Sequence, residues 1–100
     1  MSANFDDFLT LDARLIILRQ LAKQDSGRLN ETILAATLDA FGHRRSREWV
    51  RTQLLKLQEI GVVTVSEMGS VRVACITRAG VDHVDRRSFV EGVARPSPEQ

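Results

Sequence analysis

The chain has 100 residues, 43% hydrophobic and 27% charged, with 14 Lys plus Arg against 13 Asp plus Glu and a formal net charge of +1. This is the size of one domain with one core, and the charged share argues against global disorder. No apolar run approaches the roughly 20 residues that span a bilayer, the acidic opening MSANFDDFLT lacks the basic start of a secretory signal, and the single Cys75 excludes an intramolecular disulfide and fits a reducing cytoplasm.

The first predicted helix runs over residues 5–24. Phe5, Phe8, Leu11, Leu15, Leu18 and Ala22 recur at helical spacing, and Ile17 and Leu21 fall off that face. A DSG breaker follows. Asn30 is a good N-cap for a second helix over 31–41, with Ile33, Leu34, Leu38 and Phe41 as its buried side and Gly42 where a left-handed cap is wanted. Ser46 caps a third helix over 47–60, which stops at Gly61. Val50, Leu54, Leu57 and Ile60 share its inner face, with Trp49 at the edge. The period then changes. VVTVSEM and VRVACI, separated by Gly69 and Ser70, predict an antiparallel hairpin in which Cys75 is a small buried hydrophobe. A short helical stretch, TRAGVDHVDRR, follows.

The expected architecture is mainly α with a small β-hairpin (α+β): a winged helix-turn-helix of three helices, a two-stranded antiparallel wing and a short C-terminal helix. Residues 1–87 form the domain. Residues 88–100, with both prolines, form an extended or mobile tail.

With a nearly neutral chain, any nucleic-acid argument rests on where the charges sit. HRRSREWVR puts Arg44, Arg45, Arg47 and Arg51 into the turn and first turns of the third helix. The N-terminus of such a helix favours phosphate, and an arginine there bonds phosphate or chelates guanine O6 and N7. Arg44, Arg45 and Ser46 are the candidate phosphate contacts. Arg47, Arg51 and Thr52 are the candidates for base edges or flanking phosphate, and Arg72 for a contact from the wing. The competing reading is a solvated face paired with Glu48, Glu59 and Asp39. The exposed Leu55 and the acidic tip at Glu67 fit a protein partner instead. Arg78, Arg86 and Arg87, interrupted by Asp82 and Asp85, read as a solvated face. His43 and His83 lie at no metal-ligand spacing, and no catalytic constellation is visible, so no enzyme activity, metal or cofactor is expected. Apolar residues on several sides of the first helix, with Phe89, Val90 and Val93 near the end, predict a homodimer through the first helix and the C-terminal segment.

FDDFLTLDARLIILRQLA, LNETILAATLDAFGHRRSREWVRTQLLKLQEIGVVTV and the closing ITRAG and VEGVARPSP resemble the small winged-helix proteins of Mu-like transposable phages and prophages, often labelled ArsR-like transcriptional regulators. The resemblance covers nearly the whole chain. It implies a DNA-binding regulator acting in a bacterial cytoplasm, with Gly42, His43, Arg44, Ser46, Arg47, Val50 and Arg51 as the matching junction residues. The metal-binding cysteine motif of true ArsR sensors is absent from the sequence, so the resemblance implies no metal response. The expectation carried forward is sequence-specific binding of double-stranded DNA. Its alternative is a winged-helix module that binds another protein, a phage assembly or host factor, without binding DNA.

Overall fold

The computed structural model describes residues 4–98. The elements follow as α1 (Phe5–Ala22), β1 (Arg28–Asn30), α2 (Glu31–Ala40), α3 (Arg47–Ile60), β2 (Val63–Met68), β3 (Val71–Ile76) and α4 (Arg78–Val84). The α+β class and the positions of the helices and hairpin agree with the sequence. The caps explain why. Asn4, Asn30, Ser46 and Thr77 each accept a hydrogen bond from the backbone N–H three residues on, at the starts of α1, α2, α3 and α4. Gly61 ends α3 at φ +98°, a left-handed conformation that costs glycine little.

Among the described residues the sheet has three antiparallel strands in the order β1-β3-β2, not two. Gly27 (φ +72°) turns the chain so that its carbonyl accepts from the Ile76 N–H, and residues 28–30 then run along β3 in register Arg28↔Cys75 to Asn30↔Val73. A strand this short shows no alternation of its own in the sequence.

The core is built from Ala13, Ile17, Leu18 and Leu21 of α1, Leu34 and Leu38 of α2, Val50, Leu54 and Leu57 of α3, and Val62, Val63, Ala74 and Val93. Three sequence expectations are corrected here. The buried face of α1 centres on Ile17, Leu18 and Leu21, while Phe5 and Phe8 are exposed because the first turns overhang the body. On α2, Ile33 and Phe41 are exposed, and the buried set is Glu31, Leu34 and Leu38. On β3 it is Ala74 that is fully buried, and Cys75 is half-buried.

Helix α4 lies directly on the chain at Val62. A Cβ at Gly80 would fall inside the contact radius of the Val62 carbonyl oxygen and 2.6 Å from Ile76 Cγ1, so only glycine permits this approach. Residues 88–98 have no helix or strand, yet they close over the body as a strap. The Ala94 N–H donates to Leu11 O at 3.2 Å, Arg14 Nη1 donates to Gly92 O at 2.9 Å, and Val93 and Pro96 are buried. The fully buried His83 holds this strap twice. Its Nε2 donates to Ala94 O at 2.9 Å, and its Nδ1 accepts from the Val90 N–H at 3.1 Å.

Candidate nucleic-acid interface

The α2–α3 junction is fixed from behind. Gly42 takes φ +94°, the His43 N–H donates to Leu38 O at 2.8 Å, and the buried His43 ring meets Asp12 Oδ2 of α1 at 2.9 Å. With His43 turned inward, residues 44–47 face solvent. Arg44 is 89% exposed and meets Asp39 at 3.3 Å, an open pair that water and salt screen. The Arg45 guanidinium lies 4.6 Å from the centre of the Trp49 ring, a cation–π contact that leaves its N–H edges outward. Arg47 is exposed and forms no ion pair among the described residues. Ser46 is spent differently from expectation. Its Oγ accepts from the Trp49 N–H at 3.0 Å, so it caps α3.

Arg51 departs furthest from expectation. It does not project freely from α3. Its Nε donates to Glu31 Oε1 at 2.5 Å and its Nη2 to Glu31 Oε2 at 2.9 Å, a bidentate pair, and Nη2 also donates to Ser70 O at 3.2 Å. The physical reason is Glu31. Its side chain is 0% exposed, and a carboxylate buried that completely requires a cation. The Arg72 backbone N–H completes the set at 2.8 Å on Oε2. The Arg51 hydrogen bonds pull the Glu31 pKa from 4.5 down to about 2 against the opposing pull of burial, helped by the Arg72 N–H and by the charges of Arg51 and Arg47. The same pair raises the Arg51 pKa. Thr52 is exposed on the outer face, with its hydroxyl bonded back to Glu48 O at 3.1 Å.

The hairpin lies alongside α3. Gln58 Oε1 accepts from the Val65 N–H at 2.7 Å, and Arg72 meets Glu67 across the strands at 3.6 Å. Between helix and hairpin runs a shallow groove of about 290 Å³, lined by Leu55, Gln58, Val65, Ser66, Glu67 and Arg72. Three candidate cations, Arg44, Arg45 and Arg47, thus cluster at the start of α3. Arg72 sits on the hairpin beside it, and Arg51 joins the two elements from within.

A 43% identity over 93 residues links this chain to the uncharacterized protein gp26 of Escherichia phage Mu, covering 93% of the chain and 96% of gp26. The chain belongs to the gp26 family of Mu-like phages. An uncharacterized protein of Haemophilus influenzae is 38% identical over 76 residues, which is 75% of the chain and 74% of that protein. No family model and no solved structure matches the chain.

In this gp26-family chain the sequence reading missed three polar anchors. Glu31 lies at i, i+3 and i+7 from Leu34 and Leu38, so an acid on the buried stripe of α2 was the available signal. Gln53 and Arg14 pair at 2.8 Å, and burial lowers the Arg14 pKa. His83 carried no signal, because its partners are backbone groups of an irregular segment. The Arg78, Arg86 and Arg87 patch is a solvated face, with Arg78 and Arg87 both meeting Asp82. Among the described residues no helix is long and apolar enough to cross a membrane.

Proposed function

We propose that this gp26-family protein is a winged helix-turn-helix regulator that binds double-stranded DNA in the bacterial cytoplasm without catalytic activity. The observation that carries the reading is the cluster of Arg44, Arg45 and Arg47, solvent-facing at the capped start of α3 and tied to no buried carboxylate. Element order supports it. Two helices joined by residues 41–46 precede a hairpin packed beside the second of them, and β1 extends the sheet. The 14 residues of α3 span about 21 Å, enough to lie along a major groove about 12 Å wide. In this reading Arg44 and Arg45 bind phosphate, Arg47 and Thr52 face base edges, and Arg72 reaches the backbone from the hairpin.

Titrating duplex DNA at about 50 and 200 mM salt tests this. The wild type binds with a steep salt dependence. The variant with Arg44, Arg45 and Arg47 all replaced by Ala loses about 100-fold in affinity at the lower salt, and its salt slope falls by about 0.9 for each phosphate contact removed. A wild type that shifts no duplex at either salt overturns the reading.

A separate observation supports the homodimer expected through the first helix and the C-terminal segment. Phe5 and Phe8 stack 6.3 Å apart and stand 70% and 59% exposed at the overhanging start of α1. A groove of about 360 Å³ lies further along the same helix, between Ile16, Ala22, Phe41 and Val84. The C-terminal segment packs on its own α1, so the homodimer proposed for this surface is through α1 alone. It goes with DNA binding and is distinct from the alternative, a module that binds a phage assembly or host factor and no DNA. Replacing Phe5 and Phe8 with Ser then converts a dimer in sedimentation equilibrium to a monomer. A wild type that is monomeric at all concentrations removes the dimer.

A further inference from the structure

We propose that the Glu31–Arg51 pair is a positioning device for duplex binding, which locks the hairpin turn to the first turns of α3 so that both meet DNA as one rigid edge. The inference rests on the DNA-binding reading above and adds to it the part that holds the hairpin in place.

The geometry is specific. One fully buried carboxylate joins three elements. Glu31 stands at the start of α2, its Oε1 and Oε2 take the fork of Arg51 from α3, and Oε2 also takes the backbone N–H of Arg72 from β3. Arg51 then reaches the turn itself through Ser70 O. Apolar packing does not do this work at the outer end of the hairpin. Residues 66–70 are all exposed, and a shallow groove lies between this part of β2 and Leu55 of α3. Closer to the sheet's other end, Val63 and Ala74 are in the core and hold the strands by burial. Gln58 Oε1 ties β2 to α3 at Val65, and beyond that point the outer hairpin keeps its place beside α3 through the polar clamp, and with it the Arg72 guanidinium. A lysine at position 51 keeps the charge but has no planar fork to bond both oxygens and the turn at once.

Glu31→Gln separates positioning from bulk electrostatics, because the two make opposite forecasts. The substitution removes one buried negative charge behind the candidate cations, which by charge alone tightens duplex binding. Loss of the clamp weakens it. The expected result, on protein shown by circular dichroism to be folded at the assay temperature, is about 10-fold weaker binding and a salt slope smaller by about 0.9, the loss of one phosphate contact. Arg72→Ala then costs affinity in the wild-type background and nothing further in Glu31→Gln, a non-additivity that a purely structural role does not produce. Arg51→Lys, which leaves the net charge unchanged, shows the same pattern and serves if the first variant does not fold. Unchanged or tighter binding by these variants, with the full Arg72→Ala cost retained, overturns the clamp while leaving the DNA reading intact. A wild type that does not bind duplex at low salt overturns both.

Discussion

Replacing Arg51 with methionine lowers the melting temperature at pH 7 by about 15 °C. The substitution leaves the Glu31 carboxylate in the core with the Arg72 N–H as its remaining hydrogen-bond donor. The cost arises from that stranded charge more than from a lost attraction, because an ion pair in the interior barely repays its own dehydration. Two consequences make the account checkable. Replacing both residues by methionine recovers most of the lost melting temperature, since the charge leaves together with its partner. The second consequence concerns acid. Arg51 holds the Glu31 pKa at about 2 against an ordinary 4.5, so the unfolded chain takes up this proton first as the pH falls. The stability Glu31 adds is complete above about pH 4.5 and drains away as the pH drops toward 2. Without Arg51, burial pushes the carboxyl upward instead, and protonation then relieves the folded state. Melts followed by circular dichroism between about pH 6 and pH 3 therefore show the gap between wild type and Arg51→Met closing with acid. A gap that stays constant or widens refutes the assignment.

Truncating His83 to alanine destabilises the domain by about 3 kcal/mol, the sum of an imidazole-sized void and two backbone groups left without partners. The ring is fully buried, and both of its nitrogens are used, one by Val90 and one by Ala94. Phe89 packs edge-on against it at 5.7 Å and in turn carries the Arg95 guanidinium on its face. The damage falls on the strap first. Amide exchange speeds up at Val90 and Ala94 before it does at Val65 or Ala74 in the sheet, because the strap depends on this ring and the strands do not. His83→Asn restores part of the loss, since its amide supplies one of the two bonds. Equal acceleration of exchange through strap and sheet refutes a local role.

The parts of the fold that were legible in the sequence are those written in short-range chemistry. Asn30, Ser46, Gly42 and Gly61 mark helix ends because caps and left-handed turns need those residue types wherever they occur. What was hidden depends on partners far along the chain. Glu31 beside Asn30 passes for an acid placed to suit the helix dipole, and its burial is set by Arg51, 20 positions away. Phe5 and Phe8 bias the apparent face of α1, because apolar periodicity cannot say where the body beneath a helix begins. Residues 88–98 look like a free end because their polar attachments are main-chain bonds to His83, Leu11 and Arg14, which leave no mark on composition, and their apolar anchors, Val93 and Pro96, follow no helix or strand period. In the candidate interface, the exposed arginines at 44, 45 and 47 were readable from their position. The inward turn of Arg51 was not.

The bond from Arg14 to Gly92 joins positions 78 apart, and Leu11 and Ala94 are more distant still. Helix α1 is therefore sealed by a segment made long after it. During synthesis α1 lacks the cover of Val93 and the carbonyl that receives Arg14 until residues 92–94 have emerged. The domain closes along α1 only when that segment is free to fold back, and deleting residues 89–98 leaves an otherwise finished core open on that side.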